Sequence, residues 1–228
     1  MRLAGEINGT GSIAEIVQEW EIAPGRFYRR AGKRLFDVVT VALAVIPVLP
    51  LLLLITLAVA ADGGRPFYSQ ARVGRNGRQF GCLKFRSMVP DAESRLEGIL
   101  ARDPAAATEW AGSQKLQDDP RVTRLGRYLR KTSLDELPQL WNVLRGDMSL
   151  VGPRPVVPEE LARYGKDAAT YALVRPGITG AWQAAGRNAT TYDERVALDV
   201  DYVRNISFRR DLKVILRTFI AVLDGTGM

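Results

Sequence analysis

No histidine occurs anywhere in the 228 residues, and cysteine occurs once, at Cys82. The first absence excludes Ser-His-Asp and Cys-His catalysis and any His-ligated metal. An acid, base or nucleophile must then be a carboxylate, lysine, tyrosine, hydroxyl or the lone thiol. The second absence excludes an intrachain disulfide and fits a reducing compartment. Acidic residues are also missing from one long stretch. None lies between Gly63 and Pro90, although Arg65, Arg72, Arg75, Arg78, Lys84 and Arg86 all fall there. There are no repeats and no low-complexity tract.

Positive charge is in excess: 32 Lys and Arg stand against 25 Asp and Glu, a formal +7. That balance favours a polyanionic partner, and nucleic acid, phosphorylated substrates and anionic lipid all qualify. The length fits one domain with an appendage and is enough for a real core.

Val38–Ala61 is a run of 24 residues without a charge. As a straight helix it would be roughly 36 Å long, enough to cross a hydrocarbon core of about 30 Å. One spanning helix is the simplest reading. Two features favour a re-entrant helix-break-helix instead. Arg26, Arg29, Arg30, Lys33 and Arg34 precede the run and a second basic cluster follows it, so spanning would carry one cluster across. Pro47 and Pro50 sit near the middle, where either can break the helix by removing a donor and clashing with the preceding turn. Two arms of about a dozen residues would each reach only roughly 15–18 Å deep. The expected organisation is an N-terminal extension over residues 1–30, a membrane segment over 31–62 and a soluble domain over 63–228. Within the extension, Ser12 and Glu15 resemble a capping box, and Ile13, Ile16, Val17 and Trp20 share one helical face. This predicts a short amphipathic helix, lying on membrane or on protein.

The soluble part predicts an α+β fold, predominantly helical, with a short β-hairpin around Asn76-Gly77. Asp91–Ala101 reads as helix, and the following "DPAAATEWAGSQKLQDDP" as loop with one short helix. Val122, Leu125 and Leu129 form one helical face, with Arg121, Arg124, Arg127, Arg130 and Lys131 largely elsewhere. That helix runs straight into Asp135–Glu136. Ser133-x-x-Glu136 is a formal capping box, but Pro138 would then fall past the first turn, where it is poorly tolerated. A helix from about Pro138 to Arg145-Gly146 fits better. Both carboxylates then lie at a break between helices, beside the free donors of the second helix, where anions such as phosphate are favoured. Plain dipole-complementing acids are the alternative.

Further on, Arg154 is held between Pro153 and Pro155, which present its guanidinium fork from a stiff support. Such a fork suits phosphate, and an exposed Arg in a Pro-rich linker is the competing reading. Val174–Arg187 reads as tight turns whose glycines allow close backbone approach. In the last helix Ile215, Leu216, Phe219 and Ile220 are expected in the core, while Arg209, Arg210, Lys213 and Arg217 also permit an interfacial membrane helix.

Taken together, "KRLFD", "RVGRNGRQF", "LKFRSM", "RPGITGAWQ" and the long block "DPRVTRLGRYLRKTSLDELPQLWNVLRGDMSLVGPRP" resemble the bacterial sugar transferase family. These are the monotopic phosphoglycosyl transferases, and the likeness runs from about Lys33 to the C-terminus. It implies transfer of a phospho-sugar from a UDP-sugar to undecaprenyl phosphate, giving polyprenyl-diphospho-sugar and UMP, the first membrane step of exopolysaccharide or other glycan assembly. It also implies Mg²⁺, a covalent aspartyl intermediate, and a catalytic domain on the cytoplasmic face of the bacterial inner membrane. By the same resemblance Asp135 is the nucleophile, Glu136 helps bind metal, and Arg154 contacts phosphate. Arg130 and Lys84 map to further phosphate-binding positions. The family commonly carries Ser-Pro at the membrane break; here Leu49 precedes Pro50, which removes the hydrogen bond a serine would supply. Nucleic acid is disfavoured as a partner because the basic clusters adjoin the membrane segment and no recognised motif appears. The alternative function is a non-catalytic, membrane-anchored scaffold for polyanion binding or polysaccharide export. The sugar, the role of residues 1–25 and the oligomeric state, a homodimer included, stay open.

Overall fold

The computed structural model describes residues 27–113, 116–185 and 191–223. The amphipathic helix expected around Ser12 lies outside them. The apolar run forms one helix, α1, Lys33–Ala61, preceded by a π-helical turn, Tyr28–Gly32. Helix α1 is continuous through Pro47 and Pro50, so the expected break is not a non-helical step. The prolines still withhold two amide donors, which leaves the carbonyls of Leu43 and Ile46 without their usual helical partners. Around them Leu43, Ile46, Leu49, Leu53 and Leu54 are each more than half exposed. So large an apolar surface calls for a second apolar phase.

Both ends of α1, in contrast, are fastened to the same globular body. At the start, Lys33 Nζ lies 2.6 Å from Asp211 Oδ2, and Arg34 donates to the carbonyls of Val143 and Leu144. Asp37 accepts from Ser149 Oγ at 2.7 Å and from the Leu150 amide at 3.1 Å. The "KRLFD" motif is thus three clamps on one side of a helix. At the far end Ile55 and Val59 pack with Phe85 and Leu129, and Arg86 donates to the Val59 carbonyl at 2.8 Å.

The body is α+β and predominantly helical. Strands β1 (Phe67–Val73) and β2 (Gln79–Phe85) form an antiparallel hairpin. Its turn places Asn76 and Gly77 at positive φ, the conformation that this dipeptide tolerates best. Helix α2 (Ala92–Arg102) is followed by α3 (Pro104–Ser113), a longer helix than the loop-rich sequence there indicated. Helix α4 (Arg124–Lys131) starts at Thr123, whose side chain accepts from the Gly126 amide. After a 3₁₀ turn, Leu134–Glu136, helix α5 (Gln139–Arg145) ends on Gly146 in the left-handed region. Strand β3 (Ser149–Val151) pairs in parallel with β4 (Gly177–Thr179). A Cβ on Gly177 would overlap the backbone of Gly152, so this pairing requires glycine. The segment expected as tight turns therefore contains a strand, together with the short helix α8 (Ala181–Ala184). Between β3 and β4 lie α6 (Pro158–Leu161) and α7 (Ala168–Ala172), joined by a 3₁₀ turn.

Helix α9 (Tyr192–Arg204) opens on a capping box made by Thr191 and Glu194. The last helix is α10, Phe208–Leu223. It turns Asp211, Val214 and Thr218 inward, and Thr218 Oγ1 lies 2.6 Å from Thr179 Oγ1. That i, i+3, i+7 stripe is the inner face, so Leu216, Phe219 and Ile220, expected in the core, are instead exposed, and Ile215 is half-buried.

Candidate active site

Between α4 and α5 the chain has no room for a regular cap. Ser133 adopts φ 56°, in the left-handed region, which is uncommon for any residue but glycine. Its side chain caps nothing, and the capping box does not form. Instead the Glu136 amide donates to the Ser133 carbonyl, closing the 3₁₀ turn, and the Glu136 side chain takes Lys84 Nζ at 2.8 Å. On the other side, Gly126 lets α4 sit directly on the backbone of Ser87, where a Cβ would overlap the carbonyl. This contact brings Arg130 Nε to 2.8 Å from Ser87 Oγ.

Asp135, in the middle of the turn, is only 4% exposed. Its Oδ2 is 4.0 Å from Lys84 Nζ, and its buried Oδ1 has no hydrogen-bond partner among the described residues. Burial pushes the Asp135 carboxyl above the usual carboxylate range; Lys84 opposes this, Glu136 adds to it, and Arg130 opposes it. A carboxylate so placed is poorly solvated and keeps one oxygen uncommitted. That is how a weak oxygen nucleophile gains reactivity.

A cleft of about 280 Å³, counting the part open to solvent, adjoins this turn. Lys84, Glu136 and Arg154 line it together, along with Arg72, Gln139 and Gln183. Arg154 lies over the Trp182 ring at 5.5 Å, and Arg195 lies 5.1 Å from the same ring centroid. The Arg154 carbonyl accepts from Tyr171 Oη at 3.3 Å, and the nearby Asp199 accepts from Tyr164 Oη at 2.8 Å. Burial pushes the Asp199 carboxyl up to about 6 against the pull of Tyr164 and Arg195. Arg72 donates to the Pro155 carbonyl at 3.1 Å. Its charged form is disfavoured first by burial and then by Arg154.

Of the residues singled out from sequence, Lys84, Glu136 and Arg154 therefore share one cleft. Asp135 lies just behind it and is connected through Lys84. Arg130 does not line the cleft; it is held by Ser87 and acts on Asp135 through its charge. Arg72, Gln139, Gln183 and Trp182 were not singled out. Arg72 read only as part of a basic flank, and a lone Gln or Trp carries no spacing signal.

Among the described residues no group of three or more His, Cys, Asp or Glu side chains converges. Asp135 and Glu136 supply two adjacent carboxyl groups, one with an orphaned buried oxygen. That donor set does not make a full cage, but it fits Mg²⁺, which takes one or two carboxylates and completes its shell with substrate phosphates and water.

Residues 28–225 match the family described as bacterial sugar transferase. The chain belongs to that family. It is 50% identical over 195 residues to the UDP-galactose-lipid carrier transferase of Erwinia amylovora, covering 86% of this chain and 41% of that one. It is 49% identical over 195 residues to the undecaprenyl-phosphate galactose phosphotransferase of Salmonella typhimurium, with 86% and 41% covered. With the exopolysaccharide production protein ExoY of Sinorhizobium fredii it shares 51% identity over 197 residues, 86% of this chain and 87% of that one. The chain thus spans about two fifths of the first two sugar transferases and most of the third. Tyr28–Ala61 is long and apolar enough to cross a membrane, and with these relatives it marks a membrane-associated protein.

Proposed function

We propose that the protein is a phosphoglycosyl transferase that moves a phospho-sugar from a UDP-sugar to undecaprenyl phosphate, with Asp135 as nucleophile. The observation that carries this reading is the buried Asp135 carboxyl with one unpartnered oxygen, set beside a cationic cleft. In the first displacement an Asp135 oxygen attacks the sugar-bearing phosphorus. The bond to the bridging oxygen breaks, and UMP leaves with that oxygen. In the second, an oxygen of undecaprenyl phosphate attacks the acyl phosphate, the Asp135 carboxylate leaves, and polyprenyl-diphospho-sugar forms. Splitting the transfer in two lets one cleft serve donor and acceptor in turn.

Arg154, backed by Trp182 and held at its carbonyl by Tyr171, is positioned to neutralise phosphoryl oxygens as charge develops, with Arg72 beside it. Lys84 bridges the two carboxylates and is drawn to phosphate when substrate enters. Glu136, released from Lys84, would hold Mg²⁺. When bound, that ion offsets the repulsion between carboxylate and phosphoryl oxygens.

The proposed placement draws its support from α1. Both of its ends pack on one polar body, and Arg30, before the apolar run, lines the same hollow as Arg75, after it. This supports a re-entrant helix with both flanks on the cytoplasmic face of the bacterial inner membrane. Cysteines introduced at positions 30 and 75 should both resist labelling from outside intact cells, and labelling of one alone would establish a spanning helix.

The activity is tested by UMP release across a panel of UDP-sugars with undecaprenyl phosphate and Mg²⁺. Release that depends on acceptor and metal, and a phospho-sugar adduct trapped on wild type but absent in Asp135→Asn, are the expected results. No release with any donor would favour the non-catalytic scaffold. Intersecting initial-rate patterns in place of parallel ones would replace the covalent route by direct transfer.

A further inference from the structure

Two carboxamides in the reactive cleft have no task in the transfer derived above. Gln139 and Gln183 line it beside Lys84, Glu136 and Arg154. They are 2% and 4% exposed, so neither is freely hydrated. The Gln139 side chain has no hydrogen-bond partner among the described residues. Gln183 Nε2 reaches only the Ile178 carbonyl, at 3.5 Å, and its buried Oε1 has no partner among the described residues. Asn142, one helical turn beyond Gln139 and equally buried, shows the opposite. Its Oδ1 accepts from the Leu83 amide at 2.9 Å and its Nδ2 donates to the Gly81 carbonyl at 2.8 Å. Those bonds fix α5 on β2, so Gln139 is presented from a rigid support.

Leaving a buried amide unpaired is costly, and the great majority of buried polar groups are paired. Two exceptions in one cleft point to a partner that arrives with the substrate. Its chemistry is restricted. The diphosphate of a UDP-sugar only accepts at neutral pH, and Lys84, Arg72 and Arg154 supply its donors. Gln183 Oε1 instead requires a donor, and a carboxamide as a whole both donates and accepts. In a UDP-sugar the groups that donate are all on the uncharged parts: the hydroxyls and the uracil imide. We propose that Gln139 and Gln183 hydrogen-bond these uncharged groups of the donor substrate while the three cations take its diphosphate. The inference rests on the UDP-sugar reading and divides the cleft into a charge-binding wall and a recognition wall. The transferred sugar and the uridine share this chemistry, and the two sources are separable.

The test uses the full chain carrying Asp135→Asn, which on that reading stops transfer, in detergent with Mg²⁺ at constant ionic strength. UDP-galactose, UDP-glucose, UDP and inorganic pyrophosphate are titrated by calorimetry. Gln139→Met and Gln183→Met keep the length of the side chain and remove its hydrogen bonds. Each should weaken the UDP-hexoses about tenfold or more while pyrophosphate binds as before. Arg154→Ala, in contrast, should weaken all four ligands. Because neither amide gives up a partner in the free protein, the unfolding midpoint without ligand should hold or rise in both Met variants. An equal loss with UDP assigns the contact to uridine, and a loss confined to the UDP-hexoses assigns it to the transferred sugar. A lowered midpoint in both Met variants would make the carboxamides structural and overturn the proposal. Weakened pyrophosphate would overturn it in favour of a phosphate or metal contact. UDP-hexose affinity unaltered in both variants, with the parent binding, defeats the inference alone. A parent that binds pyrophosphate but neither UDP-hexose defeats the UDP-sugar reading and the inference with it.

Discussion

Asp211 and Asp135 are both buried carboxylates within reach of a lysine, yet they are opposites. Asp211, 0% exposed, accepts from Lys33 at 2.6 Å, Tyr28 at 2.7 Å and Tyr202 at 2.6 Å, so both of its oxygens are used. Asp135, 4% exposed, has its lysine 4.0 Å away, and that lysine is closer to Glu136. One of its oxygens is left without a donor among the described residues. Burial therefore does not separate the structural acid from the proposed nucleophile; hydrogen-bond satisfaction does. A fully satisfied carboxylate fastens α1 to α10, and an under-satisfied one has an oxygen that no group among the described residues serves.

The widest separation should come from Asp135→Asn, which removes the proposed nucleophile while keeping its shape. Turnover should fall by about 10⁴-fold or more, read as UMP release. Stability should move the other way. Because the folded Asp135 binds its proton more tightly than the unfolded one, wild-type stability drops as pH rises from the ordinary carboxylate range through the raised value. The asparagine variant escapes that loss, so denaturation series at several pH values should show its advantage growing with pH and vanishing in acid. The same protonation should make wild-type turnover fall as the medium is acidified through the raised value.

Asp211→Asn should show the reverse pattern, costing about 3–5 kcal/mol by leaving the buried Lys33 ammonium without its counter-charge. Surviving folded molecules should turn over normally, and urea unfolding in detergent measures the difference. If Asp211→Asn lost activity without losing stability, the contrast between the two acids would fail. Arg154→Lys comes next, with a fall of about 10²–10³-fold in kcat and little change in unfolding, because an ammonium replaces the fork over Trp182. Ser149→Ala is the mildest. It takes one donor from Asp37 and should cost about 1–3 kcal/mol with the kinetics retained.

Much of this was legible in the residues. Asn76-Gly77 marked the hairpin, and Pro138 with Gly146 bracketed α5, because each acts through local backbone geometry. "KRLFD" stood out as a motif, but its three distant partners, Asp211, the end of α5 and Ser149, could not be read without the fold. The β3–β4 pairing was hidden for the same reason: three-residue strands joined across the intervening α6 and α7 carry no periodicity. At the site, the capping-box pattern around Glu136 pointed to a bond that Ser133, in its left-handed conformation, does not make. The exposed face of α10 was misjudged because apolar spacing shows that a stripe exists, not which phase it meets.

Arg34 grips the carbonyls of Val143 and Leu144 near the end of α5, and only Leu137 and Pro138 separate Glu136 from its first residue. A seven-residue strut therefore joins the foot of the greasy rod to the turn that carries Asp135. A displacement at the foot of the rod is therefore passed along a helix and has no slack chain in which to be absorbed.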